Sequence, residues 1–308
     1  MILIARQEGG SSRSSRWTIG DLLRWTEEHF RKLGLDSPRL DAEILLAKAL
    51  SATRLQLYTE YHKLAQPEER ARFRELVLRR AQREPVAYIV GAREFHSLSF
   101  SVNPSVLIPR PETEHLVDWA LEELEARAVA RPGDELRVLD LGTGSGNIGV
   151  AIAVRRPDSL VDAVDVSREA LEVARANADA HGVSGKVRFL EGDWFGAVPD
   201  GARYALVVSN PPYVSPAEFE RLAPEIRLHE PRLALVGSEK PDGDGLESYR
   251  IFAARGATFL ADGGALGVEV AAGKAREVEE IFAASGWTLR RKVRDYGGID
   301  RVLAFARP

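Results

Sequence analysis

The chain has 308 residues, enough for about two domains with well-buried cores, and its 44% hydrophobic and 29% charged content is ordinary for a globular protein. Cysteine is absent, which excludes disulfides, thiolate metal sites and cysteine nucleophiles, and no apolar run approaches the roughly 18 to 20 residues of a membrane span. The net charge of −4 is uneven: residues 1–90 carry 16 Lys/Arg against 12 Asp/Glu and the remainder 26 against 34, so neither part has the basic excess of a nucleic-acid footprint.

Met1 to Arg6 is too short an apolar run for a secretory signal, and cytoplasmic residence is the expectation. Residues 1–16 read as a disordered Gly/Ser-rich tail. A helix is predicted from Thr18, whose hydroxyl can cap it with Asp21, with Ile19, Leu22, Leu23, Phe30 and Leu33 on its buried face. Asp36-Ser37-Pro38 opens a second helix carrying Leu40, Ile44, Leu45 and Leu50 inward. Pro67 opens another with Phe73, Leu76, Val77 and Ala81 inward and its arginines outward, so residues 17–84 form a small helical domain.

From Pro85 the period changes. Val86 to Gly91 leads into Arg93-Glu94-Phe95-His96 and then into Leu98, Phe100 and Val102 alternating with polar residues, which predicts a linking hairpin within 85–108. Past Pro104, Pro109 and Pro111, residues 112–130 are helical. From there strands near 136–141, 160–165, 187–191, 204–209 and 264–270 alternate with helices near 147–156, 168–182, 246–261 and 273–285. This is a doubly wound α/β pattern over 109–308. Two final strands, 287–293 and 301–305, are separated by a Gly-rich turn and should pair antiparallel, an ending more typical of methyltransferases than of dehydrogenases.

Two strand ends carry the chemistry. Asp140-Leu141-Gly142-Thr143-Gly144-Ser145-Gly146 closes the first strand of the α/β part, where glycines let backbone approach a ligand and the next helix offers unpaired N–H groups. Gly144, Gly146 and Gly149 also satisfy G-x-G-x-x-G with Asp165 at a ribose-binding distance downstream, so this loop alone leaves a dinucleotide site open. Asp140 tips the balance toward adenosylmethionine, because a carboxylate there suits a cationic amino group and repels a pyrophosphate. Asp165 can accept ribose hydroxyls, although it also reads as a helix-capping acid before Ser167. Asp193-Trp194, ending the third strand, can give an adenine an acceptor and a wall.

The second site is Asn210-Pro211-Pro212-Tyr213 at the end of the run Tyr204 to Ser209. The Asn210 carboxamide oxygen and the Pro211 carbonyl are two acceptors held by rigid prolines, suited to a planar NH2 group, and Tyr213 adds an aromatic face. Asn-Pro is also a common turn opener and Tyr213 could be a packing residue; the polar strand ends upstream favour the functional reading.

With these motifs in this order the chain resembles class I (Rossmann-like) adenosylmethionine-dependent amino-methyltransferases. More narrowly it resembles the PrmC/HemK family, the N5-glutamine methyltransferases of class-1 peptide chain release factors. Arg39 to Glu43, Pro85 to Gly91, Ile108 to Glu114, His229 to Leu235, Asp244-Gly245-Leu246 and Asp295-Tyr296-Gly297 also look like segments of that family, and the match covers about residues 17–306. The resemblance implies a mostly parallel seven-stranded sheet with a C-terminal antiparallel hairpin, preceded by the helical substrate-recognition domain. It implies S-adenosyl-L-methionine as methyl donor, held by Asp140, Gly142, Thr143, Gly144, Ser145, Gly146, Asp165, Asp193, Trp194 and Asn210, with no metal. It implies substrate glutamine held by Asn210, Pro211, Pro212 and Tyr213, with Asn210, Pro211 and Tyr213 catalytic and with Glu112 and Thr113 near the pocket. A monomer acting on a protein, without membrane or direct nucleic-acid binding, is expected. The rivals are a ribosomal-protein glutamine methyltransferase, a DNA or RNA adenine-N6 methyltransferase, whose substrate also presents a planar NH2, and a nicotinamide dehydrogenase, which leaves Asn210 to Tyr213 unexplained. A non-catalytic binding module would have no need of the acidic strand ends.

Overall fold

The computed structural model describes residues 16–238 and 240–307. The expected disordered tail lies, apart from Arg16, outside the described residues. The chain divides into two compact units between Val90 and Gly91.

The first unit is helical: α1 (Ile19–Lys32), α2 (Pro38–Leu50), α3 (Arg54–Thr59), α4 (Pro67–Ala81) and α5 (Val86–Val90). Thr18 starts α1 with a capping box, its hydroxyl accepting from the Asp21 N–H at 3.1 Å and its own N–H donating to Asp21 Oδ2 at 3.1 Å. Leu23, Phe30, Leu45, Leu46 and Phe73 form the core of this unit. Two expectations are corrected. Leu40 is 41% exposed, and Arg80 is buried, with Nε 2.7 Å from Asp41 Oδ2. Buried Glu43 accepts from Arg39 and Arg54, so the acidic residues of the Arg39–Glu43 segment hold helices together. Val86 to Val90 form a short helix, where Pro85 O accepts from the N–H groups of Tyr88 and Ile89.

The second unit begins with the expected hairpin, β1 (Ala92–Phe95) and β2 (Leu98–Ser101), in which Phe95 lies opposite Leu98. Phe95 and Phe100 are buried in the core of this unit. Then come α6 (Glu114–Ala130), β3 (Leu136–Leu141), α7 (Asn147–Arg155), β4 (Ser159–Asp165), α8 (Arg168–Ala180), β5 (Val187–Glu191) and β6 (Tyr204–Ser209). They are followed by α9 (Pro216–Phe219), α10 (Pro224–His229), α11 (Glu247–Arg255), β7 (Leu260–Glu269), α12 (Ala275–Ala284), β8 (Thr288–Arg294) and β9 (Asp300–Ala306). The sheet order is β5-β4-β3-β6-β7-β9-β8, parallel through β7 and antiparallel at β9 and β8.

Alternation along the buried strands splits the core into two layers. Val138, Ala163 and Val208 pack on one side with Leu116 of α6 and Ile152 of α7; Leu139, Val164 and Val207 pack on the other with Phe252 of α11 and Phe282 of α12. The chain runs outward from β3 through β4 to β5, then returns to the opposite side of β3 as β6. That reversal leaves a crevice at the carboxyl ends of β3 and β6, where ligands bind in open α/β sheets.

Candidate active site

Leu141 and Ser209 are partners in the β3–β6 register, and the Ser209 hydroxyl donates to the Leu141 carbonyl at 2.7 Å. Gly142 and Asn210, the next residues of each strand, therefore leave the sheet side by side. Both line a cavity of about 420 Å3, within the ordinary range for small-molecule sites. Also lining it are Thr143, Gly144, Ser145, Asp165, Asp193, Trp194 and Pro212, together with Thr113 and Arg110.

The glycine loop is held from below and from the side. Asp140 is fully buried, and its Oδ2 accepts from the Thr143 hydroxyl at 2.6 Å and the Gly149 N–H at 3.0 Å. Its Oδ1 is buried without a hydrogen-bond partner among the described residues, and burial pushes its pKa up to about 6. Asp140 lies under the loop and does not line the cavity. Asp165 Oδ2 accepts from the Gly144 N–H at 2.8 Å and Oδ1 from the Ser167 N–H at 2.9 Å; burial raises its pKa against those bonds. It thus fastens the loop on one side while bordering the cavity on the other. Gly146 precedes α7, and a Cβ there would stand 3.1 Å from Ala174 Cβ, so a glycine at this position also lets α7 pack closely on α8.

Trp194 has φ +46, a left-handed conformation that costs a large side chain on the order of 1–3 kcal/mol. Its ring meets Phe252 edge-on at 4.9 Å, and a Cβ on Gly142 would stand 3.2 Å from it, so a glycine is what lets this wall approach the loop.

On the other strand end, Asn210 Nδ2 donates to the Thr113 hydroxyl oxygen at 3.1 Å, while Oδ1 accepts no hydrogen bond from the described residues. Pro211 is buried, and Tyr213 is partly buried against the second core layer; neither lines the cavity. Burial, with Glu269 adding to it, pushes the Tyr213 phenol up to about 12. The turn is backed by residues 235–237, since Val214 N–H donates to Leu235 O and Gly237 N–H donates to Val214 O. Arg110 pairs with buried Glu230, whose other oxygen accepts from the Ile108 N–H at 3.1 Å, tying the proline-rich segment to the stretch after α10.

Three contributors escaped the sequence reasoning. Glu269 lies at the end of β7, beside Asn210 in the strand register. Gly237 and Gly245 give close backbone approach behind Pro212 and Tyr213. Gly245 lies within a segment already read as family-like and Gly237 two residues past another, though neither was given a part in the site; Glu269 follows the apolar run Gly264 to Val268 and could have been picked out as an acid at a strand end.

The donors and acceptors fit adenosylmethionine: open backbone at Gly144, a carboxylate at ribose spacing in Asp165, an aromatic wall in Trp194 and buried negative charge at Asp140. A sheet in this order, with its cavity at the β3/β6 reversal and β9 antiparallel between β7 and β8, defines an S-adenosyl-L-methionine-dependent methyltransferase, and the comparisons agree. Residues 21–91 match the PrmC N-terminal domain and residues 120–229 the methyltransferase small domain. The chain is 41% identical to release factor glutamine methyltransferase of Rhodopirellula baltica, covering 96% of this chain and 98% of that protein. It is 42% identical to the protein of the same name in Geobacter sulfurreducens, covering 93% and 96%. A solved structure described as human methyltransferase 10 domain containing protein shares the fold at 14% identity, with a TM-score of 0.50 over 68% of this chain and 88% of that one. The chain belongs to the release factor glutamine methyltransferase family.

Proposed function

We propose that the protein methylates the side-chain N5 nitrogen of the glutamine in the Gly-Gly-Gln motif of class-1 peptide chain release factors. The observation that carries this reading is the Asn210 carboxamide: its NH2 is engaged by Thr113, and its oxygen is left to the cavity that the glycine loop also lines.

The methyl group comes from the sulfonium of adenosylmethionine, which leaves as a thioether as the N–CH3 bond forms, and the alkylated nitrogen then releases a proton to solvent. The chain's task is positioning, because an amide nitrogen is a poor nucleophile whose lone pair is delocalised into its carbonyl. Asn210 Oδ1 and the Pro211 carbonyl accept the two amide hydrogens, favour pyramidalisation and aim the lone pair at the methyl. Pro211 and Pro212 fix these acceptors beforehand, and Tyr213 braces the turn. Gly142, Thr143, Gly144, Ser145 and Gly146 form the cofactor cradle, Asp165 accepts its ribose hydroxyls, and Asp193 and Trp194 hold its adenine. Asp140 acts from beneath, ordering Thr143 and Gly149 and placing negative charge behind the cofactor's ammonium end.

The helical unit recognises the body of the protein substrate, and the enzyme works as a cytoplasmic monomer without binding nucleic acid directly. The acidic balance of residues 91–308 supports protein over nucleic acid as substrate. Among the described residues no helix is long and apolar enough to cross a membrane.

The test is incubation with a purified release factor and labelled cofactor, followed by peptide mapping, beside a short Gly-Gly-Gln peptide and an adenine-containing oligonucleotide. Label is expected on the motif glutamine, with the intact factor far better than the peptide. Label on adenine, or on another glutamine, overturns the assignment; equal use of peptide and factor overturns the role of the helical unit.

A further inference from the structure

The Asn210 carboxamide works only in one orientation. With Oδ1 toward the cavity it accepts from a substrate NH2; turned around, it sets donors against donors. We infer that Glu269, acting through Thr113, is the positioning residue that decides between these orientations, an inference that rests on the amide-gripping role given to Asn210.

Ser209 pairs with Val268 in the β6–β7 register, so Asn210 and Glu269 are neighbours at adjacent strand ends. Thr113, in the turn before α6, is 1% exposed and Glu269 2% exposed. The Thr113 side chain lies beside the Glu269 carboxyl and acts to lower its pKa. A hydroxyl has one hydrogen to give. Given to the Glu269 carboxylate, it leaves only lone pairs on the Thr113 oxygen, and these accept from Asn210 Nδ2 at 3.1 Å. The chain of bonds then has a single polarity, Asn210 to Thr113 to Glu269, and Oδ1 is the atom left to the cavity. A protonated Glu269 can instead donate to Thr113. That frees the hydroxyl hydrogen to point at Asn210 and favours the reversed carboxamide.

Glu269 is placed to change state. Its Oε2 is buried without a hydrogen-bond partner among the described residues. Burial, with Glu112 adding and Thr113, Arg301 and Arg110 opposing, pushes its pKa up to about 7. Facing it as well are the phenols of Tyr213, pushed up to about 12, and Tyr249, raised far above the ordinary range by burial, so both stay neutral when Glu269 ionises. Ionised Glu269 is the working form, and turnover rises with pH as it loses its proton.

The test uses the full chain as wild type, Thr113→Val, Thr113→Ser and Glu269→Gln. Thr113→Val is expected to lower kcat by roughly 10- to 100-fold, as for loss of a positioning contact, with the dissociation constant of adenosylmethionine by calorimetry changed less than about 3-fold. Thr113→Ser, which keeps the hydroxyl, is expected to recover most of that rate. Wild-type kcat should fall below about pH 7, and Glu269→Gln should abolish that dependence. A readout free of turnover is the Asn210 side-chain NH2 resonance pair in the free protein, expected to shift with an apparent pKa near that of Glu269. Wild-type kcat in Thr113→Val, an acid limb that survives Glu269→Gln, or an Asn210 resonance pair that ignores pH overturns the inference. If the resonances titrate as expected but no glutamine is methylated, the substrate assignment fails and the relay stands.

Discussion

Asn210 and Asp165 border the same cavity from different strands, and their substitutions should separate turnover from binding. Asn210 gives the cavity one acceptor oxygen and makes one bond of its own, to Thr113. Asn210→Ala removes a preorganised acceptor, so single-turnover methylation should fall by at least about 100-fold, the usual loss for such a group. Affinity for adenosylmethionine measured by calorimetry should change by no more than about 3-fold, under 1 kcal/mol. Asp165 holds the Gly144 and Ser167 N–H groups and has acceptor capacity left for a ribose. Asp165→Ala should weaken cofactor binding by at least about 10-fold, about 1.4 kcal/mol. A wild-type single-turnover rate for Asn210→Ala would sink the gripping role, and unchanged cofactor affinity in Asp165→Ala would sink the ribose role.

At the scale of elements, the rigidity of the Asn210–Tyr213 turn comes from what is packed behind it as well as from its prolines. A Cβ on Gly237 would lie 2.3 Å from Gly245 O and 2.4 Å from Pro212 O, both backbone atoms that can only yield by moving the turn. Gly237→Ala should therefore lower kcat at least as much as it lowers stability, which overpacking reduces by typically about 1–3 kcal/mol. Thermal melts and single-turnover rates on the same sample decide it, and full activity in a folded variant would show that the turn tolerates displacement. This support was hard to read from sequence, because the bonds from Val214 and Gly237 join segments some twenty residues apart without forming a named strand. The parallel strands were legible because burial on both faces leaves an unbroken apolar run such as Tyr204 to Val208. Both motif turns were legible as well, because glycine and proline mark them locally. Arg80 was not: its buried partner Asp41 is 39 residues away, and spacing along α4 cannot reveal it. The Val86–Val90 helix was hidden by β-branched residues that suit strands better.

For the molecule as a whole, the acids around the cavity set how stability depends on pH. Burial pushes Asp140 up to about 6 and Glu269 up to about 7, and raises Asp165 as well. The folded chain thus holds these protons more tightly than the unfolded chain, whose carboxyls titrate near about 4. Their contribution is complete below that value and is lost as pH rises through about 6 and 7. The cost of ionising Asp140 and Glu269 is on the order of 3 kcal/mol each. Asp244 works oppositely: hydrogen bonding to Arg250 lowers it to about 2, so its contribution is present above the unfolded value and lost as pH falls through about 2. His29, lowered by burial, also favours higher pH, but as one partly exposed group on α1 it is outweighed. Stability should therefore peak on the acid side of neutrality. Unfolding by denaturant at fixed ionic strength should give a larger free energy at about pH 5.5 than at about pH 8. Glu269→Gln, which cannot ionise, should narrow that gap, and a protein equally stable at both values would mean these carboxyls are better solvated than their burial implies. The direction matters for catalysis: the pH range that ionises Glu269 and orients Asn210 is the range in which the fold gives up stability, so the enzyme is most active where its cavity is under the greatest electrostatic strain.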